Sequence, residues 1–468
     1  MINMLIDFLK SKNKYQDKIN ELKEVYLSDD RPWVIGYSGG KDSTVVVQLV
    51  FEMLQQLALE ERKKQVYIIS SDTMVETPLI ISSINHTLYS IQRKGIELQL
   101  PIETHKVKPE IQNTFWSLLI GKGYPSPRQK FRWCTDRMKI DPANRFILDK
   151  VSKFGEVIMV LGVREDESAT RAQSIKQHTI DGSKLMKHSS LKNAFVYAPI
   201  REFSLDDVWD YLLTDQAKTP WDTDNYELYA LYQNSSGGEC PLIVDKEIKE
   251  TAGSCGNSRF GCWVCTVVKE DKALVGFIDN GENWMTPLLD FRNWLSSIRE
   301  DRDLREKSRM NGSIYYVGEG DERKLGLGPY TFEARQLILR KLLETEKQLV
   351  NPYEPDYRLI QIEELKYIRK LWIENGDWAD SLPLIYFDVY GEMLDWDLEE
   401  RAPFDKSQIT DLELICEKND VDFELVKKLI NIEKNYVGYK IRRGLIDEFH
   451  KVLNQDVVHH GKVEGYKE

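Results

Sequence analysis

Apolar positions along this chain follow two rhythms, short continuous runs and longer stretches with helical spacing. The run Pro32-Trp33-Val34-Ile35-Gly36-Tyr37 reads as a buried strand, followed by a glycine turn and a strongly apolar helix from about Thr44 to Glu61. A second strand is predicted over 65–70, ending in Ser71-Asp72-Thr73, and then a helix with Pro78 near its start. Further strands are predicted over 97–101, 156–163 and 195–199. Strands alternating with helices imply an α/β fold with a parallel sheet covered on both faces, whose ligands sit at the carboxyl ends of the strands. Residues 164–192 are polar and without periodicity, and read as a lid or binding loop. From Leu205 onward helical spacing dominates, as in 332–349, 412–416 and 423–430, broken by a glycine- and cysteine-bearing segment at 237–266 and a glycine-rich loop at 312–328.

A chain of 468 residues exceeds a single core. The pattern predicts a surface helix over 1–30, a nucleotide domain over 31–215, a cysteine segment over 216–290 and a mainly helical region over 291–468. The N-terminal stretch is interrupted by Asp7, Lys10, Lys12, Lys14, Asp17 and Lys18, so it does not read as a signal peptide. The most apolar stretch, residues 44–60, carries Glu52 and is shorter than the ~20 residues a membrane span needs. A soluble, cytoplasmic protein with no membrane partner is expected.

The formal charge of −12 argues against a protein that coats nucleic acid over its whole surface. One segment departs from that balance. Between Lys122 and Lys150, the basic residues Lys122, Arg128, Lys130, Arg132, Arg137, Lys139, Arg145 and Lys150 face only Asp136, Asp141 and Asp149. It reads either as a phosphate-binding groove or as a solvated face.

Ser38-Gly39-Gly40-Lys41-Asp42-Ser43 lies between the first strand and its helix. Successive glycines let backbone amides converge on an anion, the helix dipole adds positive charge, Ser38 and Ser43 offer hydroxyls, and Lys41 supplies a full charge. A Walker A loop is excluded, since Lys41 is followed by Asp42 and the glycine spacing is wrong.

Four of the six cysteines, Cys240, Cys255, Cys262 and Cys265, fall within 26 residues, with spacing C-x14-C-x6-C-x2-C. One tight pair and two loose cysteines favour a [4Fe–4S] cluster over a structural zinc, which usually shows two tight pairs; unligated core cysteines are the remaining reading. Cys134, among basic residues, is read either as a sulfur-handling thiolate or as packing. Cys416 is expected in the core.

The Ser38–Ser43 motif resembles the SGGxDS loop of the PP-loop ATP pyrophosphatases, the family of the PAPS reductases and thiolation enzymes, whose fold is adenine nucleotide α-hydrolase-like. The resemblance continues through Asp72-Thr73 with Glu76-Thr77, through Arg132-Trp133-Cys134-Thr135 with Lys139 and Pro142, and through Leu161-Gly162-Val163-Arg164 with Glu167, Ser168 and Arg171. It implies that Ser38, Gly39, Gly40, Lys41, Asp42, Ser43, Asp72, Thr73, Gly162, Arg164 and Arg171 hold ATP with Mg²⁺. Lys41, Asp42, Arg164 and Cys134 would take part in the chemistry. The segment Arg259-Phe260-Gly261-Cys262-Trp263-Val264-Cys265-Thr266 beside such a loop is similar to the DNA phosphorothioation sulfurtransferases of the DndC type. That resemblance implies ATP-dependent sulfur transfer to DNA, with DNA, a cysteine desulfurase and other phosphorothioation proteins as partners. A PAPS or APS reductase would carry a C-terminal E-C-G-L-H motif, and Cys416 stands instead in Leu414-Ile415-Cys416-Glu417-Lys418. Transfer RNA thiolation shares the loop and a cluster with this pattern, and a non-catalytic ATP-binding scaffold would share the loop alone.

Overall fold

A computed structural model of the chain describes residues 2–167, 169–180, 182–215, 217–235, 261–311, 313–318, 323–396, 406–436 and 442–454. These fall into two compact units. The first comprises Met1–Glu110 and Arg128–Met285, the second Ile111–Pro127 and Thr286–Glu468. The chain therefore leaves the first unit after Glu110, contributes a short segment to the second, and returns at Arg128 with the basic stretch.

The first unit opens with α1 (Ile2–Leu27), β1 (Trp33–Gly36), α2 (Lys41–Gln56), β2 (Val66–Ser71), α3 (Pro78–Glu97) and β3 (Ile102–Val107). A single turn, α4 (Trp133–Thr135), leads through a wide π-type turn into α5 (Asp141–Phe154) and β4 (Val157–Val160). Then come α6 (Ala169–His178), β5 (Met186–Lys187), β6 (Ala194–Tyr197), α7 (Leu205–Asp210), α8 (Asn225–Asn234) and α9 (Lys272–Asp279). The sheet runs β3-β2-β1-β4-β6-β5 and is parallel except for β5, which pairs antiparallel with β6. Its central strands are apolar throughout because both faces are covered: Trp33, Val34 and Ile35 in β1 and Val157, Ile158 and Val160 in β4 are fully buried. On one face Val34, Tyr67, Ile69, Val157 and Met159 pack with Ile147 of α5, and Phe146 and Val151 join them. α1 is amphipathic, sinking Tyr15, Ile19, Leu22, Val25 and Tyr26. The connections from β1 run to β2 on one side while β4 lies on the other, so the sheet has a switch point between β1 and β4.

Three local expectations differ from the structure, one of them the glycine-rich stretch 312–328, expected as a loop, which contains the paired strands Tyr316–Val317 and Lys324–Leu325. The third strand is Ile102–Val107 and not 97–101. Residues 97–98 finish α3, and Gln99, at φ 52°, turns the chain. β3 is an edge strand that buries only Ile102 and Val107, so the apolar signal of its interior is weak. The polar stretch 164–192 is also not a plain loop, since it contains α6 and β5.

The second unit is mainly helical: α10 (Thr286–Ser297), the antiparallel pair β7 (Tyr316–Val317) and β8 (Lys324–Leu325), α11 (Phe332–Gln348), α12 (Ile362–Glu374), α13 (Ser381–Tyr390), α14 (Lys406–Lys418), α15 (Phe423–Asn435) and α16 (Leu445–Asn454). Residues 111–127 are gripped in its interior. The indole of Trp116 donates to the Leu359 carbonyl at 2.7 Å, and that of Trp372 donates to the Ile120 carbonyl at 3.0 Å. Cys416 is buried on α14. Among the described residues no helix is long and apolar enough to cross a membrane.

Candidate active site

The loop after β1 turns sharply at Gly39, whose φ of 74° suits glycine and whose missing side chain leaves room for Ile84, 2.5 Å from where a Cβ would stand. Gly40 then caps α2 without any side-chain cap bond, so the first amides of a 16-residue helix are left for another acceptor. Inside the loop, Ser38 Oγ and Ser43 Oγ lie 3.2 Å apart, and Ser43 Oγ donates to the Gly40 carbonyl at 2.9 Å.

The loop after β4 closes on this turn. A Cβ at Gly162 would stand 2.7 Å from the Asp42 carbonyl oxygen and 2.9 Å from the Ser43 nitrogen, an approach that only glycine permits. Two residues on, Arg164 is buried, donates through Nε to Asp42 Oδ1 at 2.6 Å and through Nη1 to the Phe203 carbonyl at 3.3 Å. Asp42 Oδ2 accepts from Lys41 Nζ at 2.9 Å. Burial works against the Asp42 carboxylate, but the Lys41 and Arg164 charges outweigh it and hold its pKa below the ordinary value. Burial likewise opposes the Lys41 ammonium, and the facing Tyr232 phenol and Asp42 carboxylate leave its pKa raised. Lys41 and Asp42 are thus half-buried members of a Lys–Asp–Arg chain rather than solvent-exposed loop residues.

At the end of β2, Asp72 is buried, accepts the Met74 amide at 3.0 Å, and lies 3.6 Å from Lys106 and 3.5 Å from Lys108. The next residues receive the described end of the cysteine segment. Thr77 donates from both N and Oγ1 to the Gly261 carbonyl, Trp263 N donates to the Val75 carbonyl at 3.1 Å, and Thr73 Oγ1 lies 3.4 Å from Cys262 Sγ. Thr73 also donates to Glu76 at 2.9 Å, and Lys139 stands 4.0 Å from the same carboxylate. Burial, with Glu76 nearby, pushes the Cys262 thiol well above its usual pKa. Such a thiolate forms readily only with a strong cationic partner.

Cys262 and Cys265 lie on one tight turn closed by Cys265 N donating to the Cys262 carbonyl at 3.0 Å, a geometry suited to paired metal ligands. These two fit half of a four-thiolate set. Cys240 and Cys255 lie outside the described residues, as does the side chain of Arg171, whose backbone is on α6. No group of three or more His, Cys, Asp or Glu side chains converges among the described residues. Cys134 sits half-buried on α4, five residues before Lys139. Tyr232, which no sequence motif marks, reaches the loop from α8 and accepts the Lys41 amide at 3.2 Å. The buried Nε of Arg132 has no hydrogen-bond partner among the described residues.

Among curated proteins, an uncharacterized protein of Methanocaldococcus jannaschii is 26% identical over 205 residues, which is 44% of this chain and 36% of that protein's length. Among solved structures, FMN adenylyltransferase of Candida glabrata in complex with FAD and inorganic pyrophosphate is 16% identical, with a TM-score of 0.28 over 47% of this chain and 62% of the other. The PAPS reductase of Candida auris in its phosphate complex is 13% identical, with a TM-score of 0.25 over 40% and 75%. The U34-tRNA thiolase NcsA of Methanococcus maripaludis with its [4Fe–4S] cluster is 13% identical, with a TM-score of 0.27 over 52% and 86%. Residues 32–268, from the start of β1 to just past the cysteine turn, match the phosphoadenosine phosphosulfate reductase domain, and by this match over half its length the chain belongs to that family.

Proposed function

We propose that the chain is an ATP-dependent sulfurtransferase that modifies the DNA backbone. A non-bridging oxygen of a DNA phosphate attacks the α-phosphorus of ATP, the bond to the β-phosphate breaks, and pyrophosphate leaves. The adenylated phosphate then has AMP as a leaving group. The terminal sulfur of a persulfide supplied by a cysteine desulfurase forms the P–S bond as AMP departs, and a thiol then attacks the S–S bond, leaving the phosphorothioate and a disulfide.

The chain's own groups supply the electrostatics of the first step. Loop amides and Lys41 take the charge that develops on pyrophosphate. Arg164, fixed by Asp42 and the Phe203 carbonyl, presents its remaining guanidinium edge to the α-phosphate or the incoming DNA phosphate. The basic residues between Arg128 and Lys150 belong to the same unit as this loop and are suited to the DNA strand. A [4Fe–4S] cluster held by Cys262 and Cys265, together with Cys240 and Cys255, would supply a relay for sulfur or electrons.

The observation that carries this reading is the seating of the Cys262–Cys265 turn on residues 73–77, at the end of the strand next to the one that bears the phosphate loop. Adenylating and sulfur-handling groups then share one edge of one sheet. The first test is the product of ATP cleavage. Purified protein with Mg²⁺, ATP and DNA is expected to release pyrophosphate, with AMP following when a sulfur donor is added, and release of ADP and phosphate would sink the mechanism.

A further inference from the structure

Tyr232 enters the phosphate loop from α8 in a position that a ligand would claim. Its phenol oxygen accepts the Lys41 backbone N–H at 3.2 Å, and the Lys41 ammonium lies 5.4 Å from its ring centroid. A Cβ on Gly40 would stand 3.3 Å from the same phenol oxygen. The Lys41 amide is among the first donors of α2, a helix start with no side-chain cap, and such amides are what a phosphate oxygen takes. A neutral phenol fills that place without the negative charge that the amides, the dipole and Lys41 favour.

We propose that Tyr232 is a resident stand-in for a phosphate oxygen, which holds the Lys41 amide until a pyrophosphate group is seated and then yields it. The inference rests on the reading of this loop as a pyrophosphate site. Charge-assisted bonds to an anionic oxygen are roughly twice as strong as neutral ones, so the exchange favours the nucleotide. The phenol bond subtracts from the apparent affinity.

Withdrawal of the phenol is not a free side-chain rotation. The Tyr232 ring is 7% exposed and packs edge-on against Trp209, with centroids 5.2 Å apart and planes at 88°. The Tyr232 carbonyl accepts from Ser235 Oγ at 3.0 Å, and the Asn234 carbonyl accepts from Asn280 Nδ2 at 3.1 Å, just beyond α9. Moving the phenol therefore loads the last turn of α8, which makes Tyr232 a positioning residue that links phosphate occupancy to that helix.

The test is titration calorimetry of the full chain with inorganic pyrophosphate and Mg²⁺. Tyr232→Phe keeps the ring, its contact with Trp209 and its face toward Lys41, and removes only the competing oxygen. It is expected to bind pyrophosphate about 2- to 10-fold more tightly than wild type, with a slightly lower melting temperature in the absence of ligand because the Lys41 amide has lost its acceptor. Equal or weaker binding overturns the proposal, because the phenol would then be idle or itself a phosphate ligand. Hydrogen exchange on the wild-type chain reads the same event without a substitution: the peptide over Asn225–Asn234 is expected to exchange faster with pyrophosphate bound, and an unchanged rate overturns the coupling. A wild-type chain that binds neither pyrophosphate nor ATP brings down the functional reading together with this one.

Discussion

Arg164 donates from Nε to Oδ1 of Asp42 at 2.6 Å, and through this bond the loop after β4 holds the first turn of α2. Arg164 is 4% exposed, so that carboxylate is the counter-charge that compensates its burial. Asp42→Ala is therefore expected to abolish ATP turnover and also to destabilise the first unit by about 3 kcal/mol, as the loss of one partner of a buried pair does. Lys41→Ala is expected to abolish turnover with little loss of stability, since it leaves the Arg164–Asp42 bond intact. Pyrophosphate release and urea unfolding of both variants check the contrast, and equal unfolding curves would refute it.

The sign of the Asp42 shift sets the acid limb of this pairing. A carboxylate whose folded pKa lies below 3.8 contributes stability that is fully present above pH 3.8 and is lost as pH falls through the lowered value. The stability difference between wild type and Asp42→Asn is expected to be constant from pH 5 to pH 8 and to shrink only below about pH 4. A difference that fades near neutrality would contradict the buried pair.

Gly162→Ala tests the close approach of the two loops. The added Cβ meets backbone atoms of Asp42 and Ser43 rather than a flexible side chain, so one of the loops must shift. The expected result is a loss of ATP affinity of at least about tenfold with native circular dichroism, because a shift of some tenths of an ångström misaligns the loop amides. Wild-type affinity would show that the loops are not coupled.

The strand–loop–helix at the phosphate loop is legible in the sequence because β1 is buried on both faces and Ser38–Ser43 punctuates it with two adjacent glycines. β3 is misplaced by several residues because an edge strand with Glu103, Thr104, His105 and Lys106 in its interior carries no apolar run. The Asp42–Arg164 bond is invisible to spacing, since it joins residues 122 positions apart, although Gly162 and Arg164 are individually picked out by resemblance. Tyr232 is harder still. It reaches Lys41 from 191 residues downstream, in a tyrosine-rich helix that carries no motif. The cysteine turn is legible as a C-x-x-C pair, but its seat on Thr73 to Thr77 is a tertiary fact.

The second unit contains a carboxyl that titrates near neutrality. Burial raises the Glu364 pKa from 4.5 to about 7, helped by Glu363 and Glu346, while the Gln361 amide and Thr114 oppose the rise. The folded state then holds a proton that the unfolded state has released, so stability falls as pH rises from 4.5 to about 7 and is level beyond. The total is on the order of 3 kcal/mol. Glu364→Gln is expected to remove this slope and to raise stability at pH 8, and a parallel pH profile in the variant would contradict the assignment.

Anaerobically purified protein is expected to be brown, with roughly four iron and four sulfide per chain. Cys262→Ser and Cys265→Ser are expected to lower iron content and to loosen the Gly261–Cys265 turn, because bound metal contributes its binding free energy to folding. Zinc in place of iron, by elemental analysis, would refute the cluster.

Sulfur in the DNA backbone is the product on which the proposed function stands or falls. Its presence is read by mass spectrometry of enzymatically digested DNA from cells that carry the intact modification genes, compared with cells in which only this gene is deleted or carries Lys41→Ala. The expected result is phosphorothioate dinucleotides in the first sample and none in the other two. Phosphorothioate that persists without the gene would overturn the assignment, and a growth defect cured by sulfite would point to a sulfate-reducing enzyme instead.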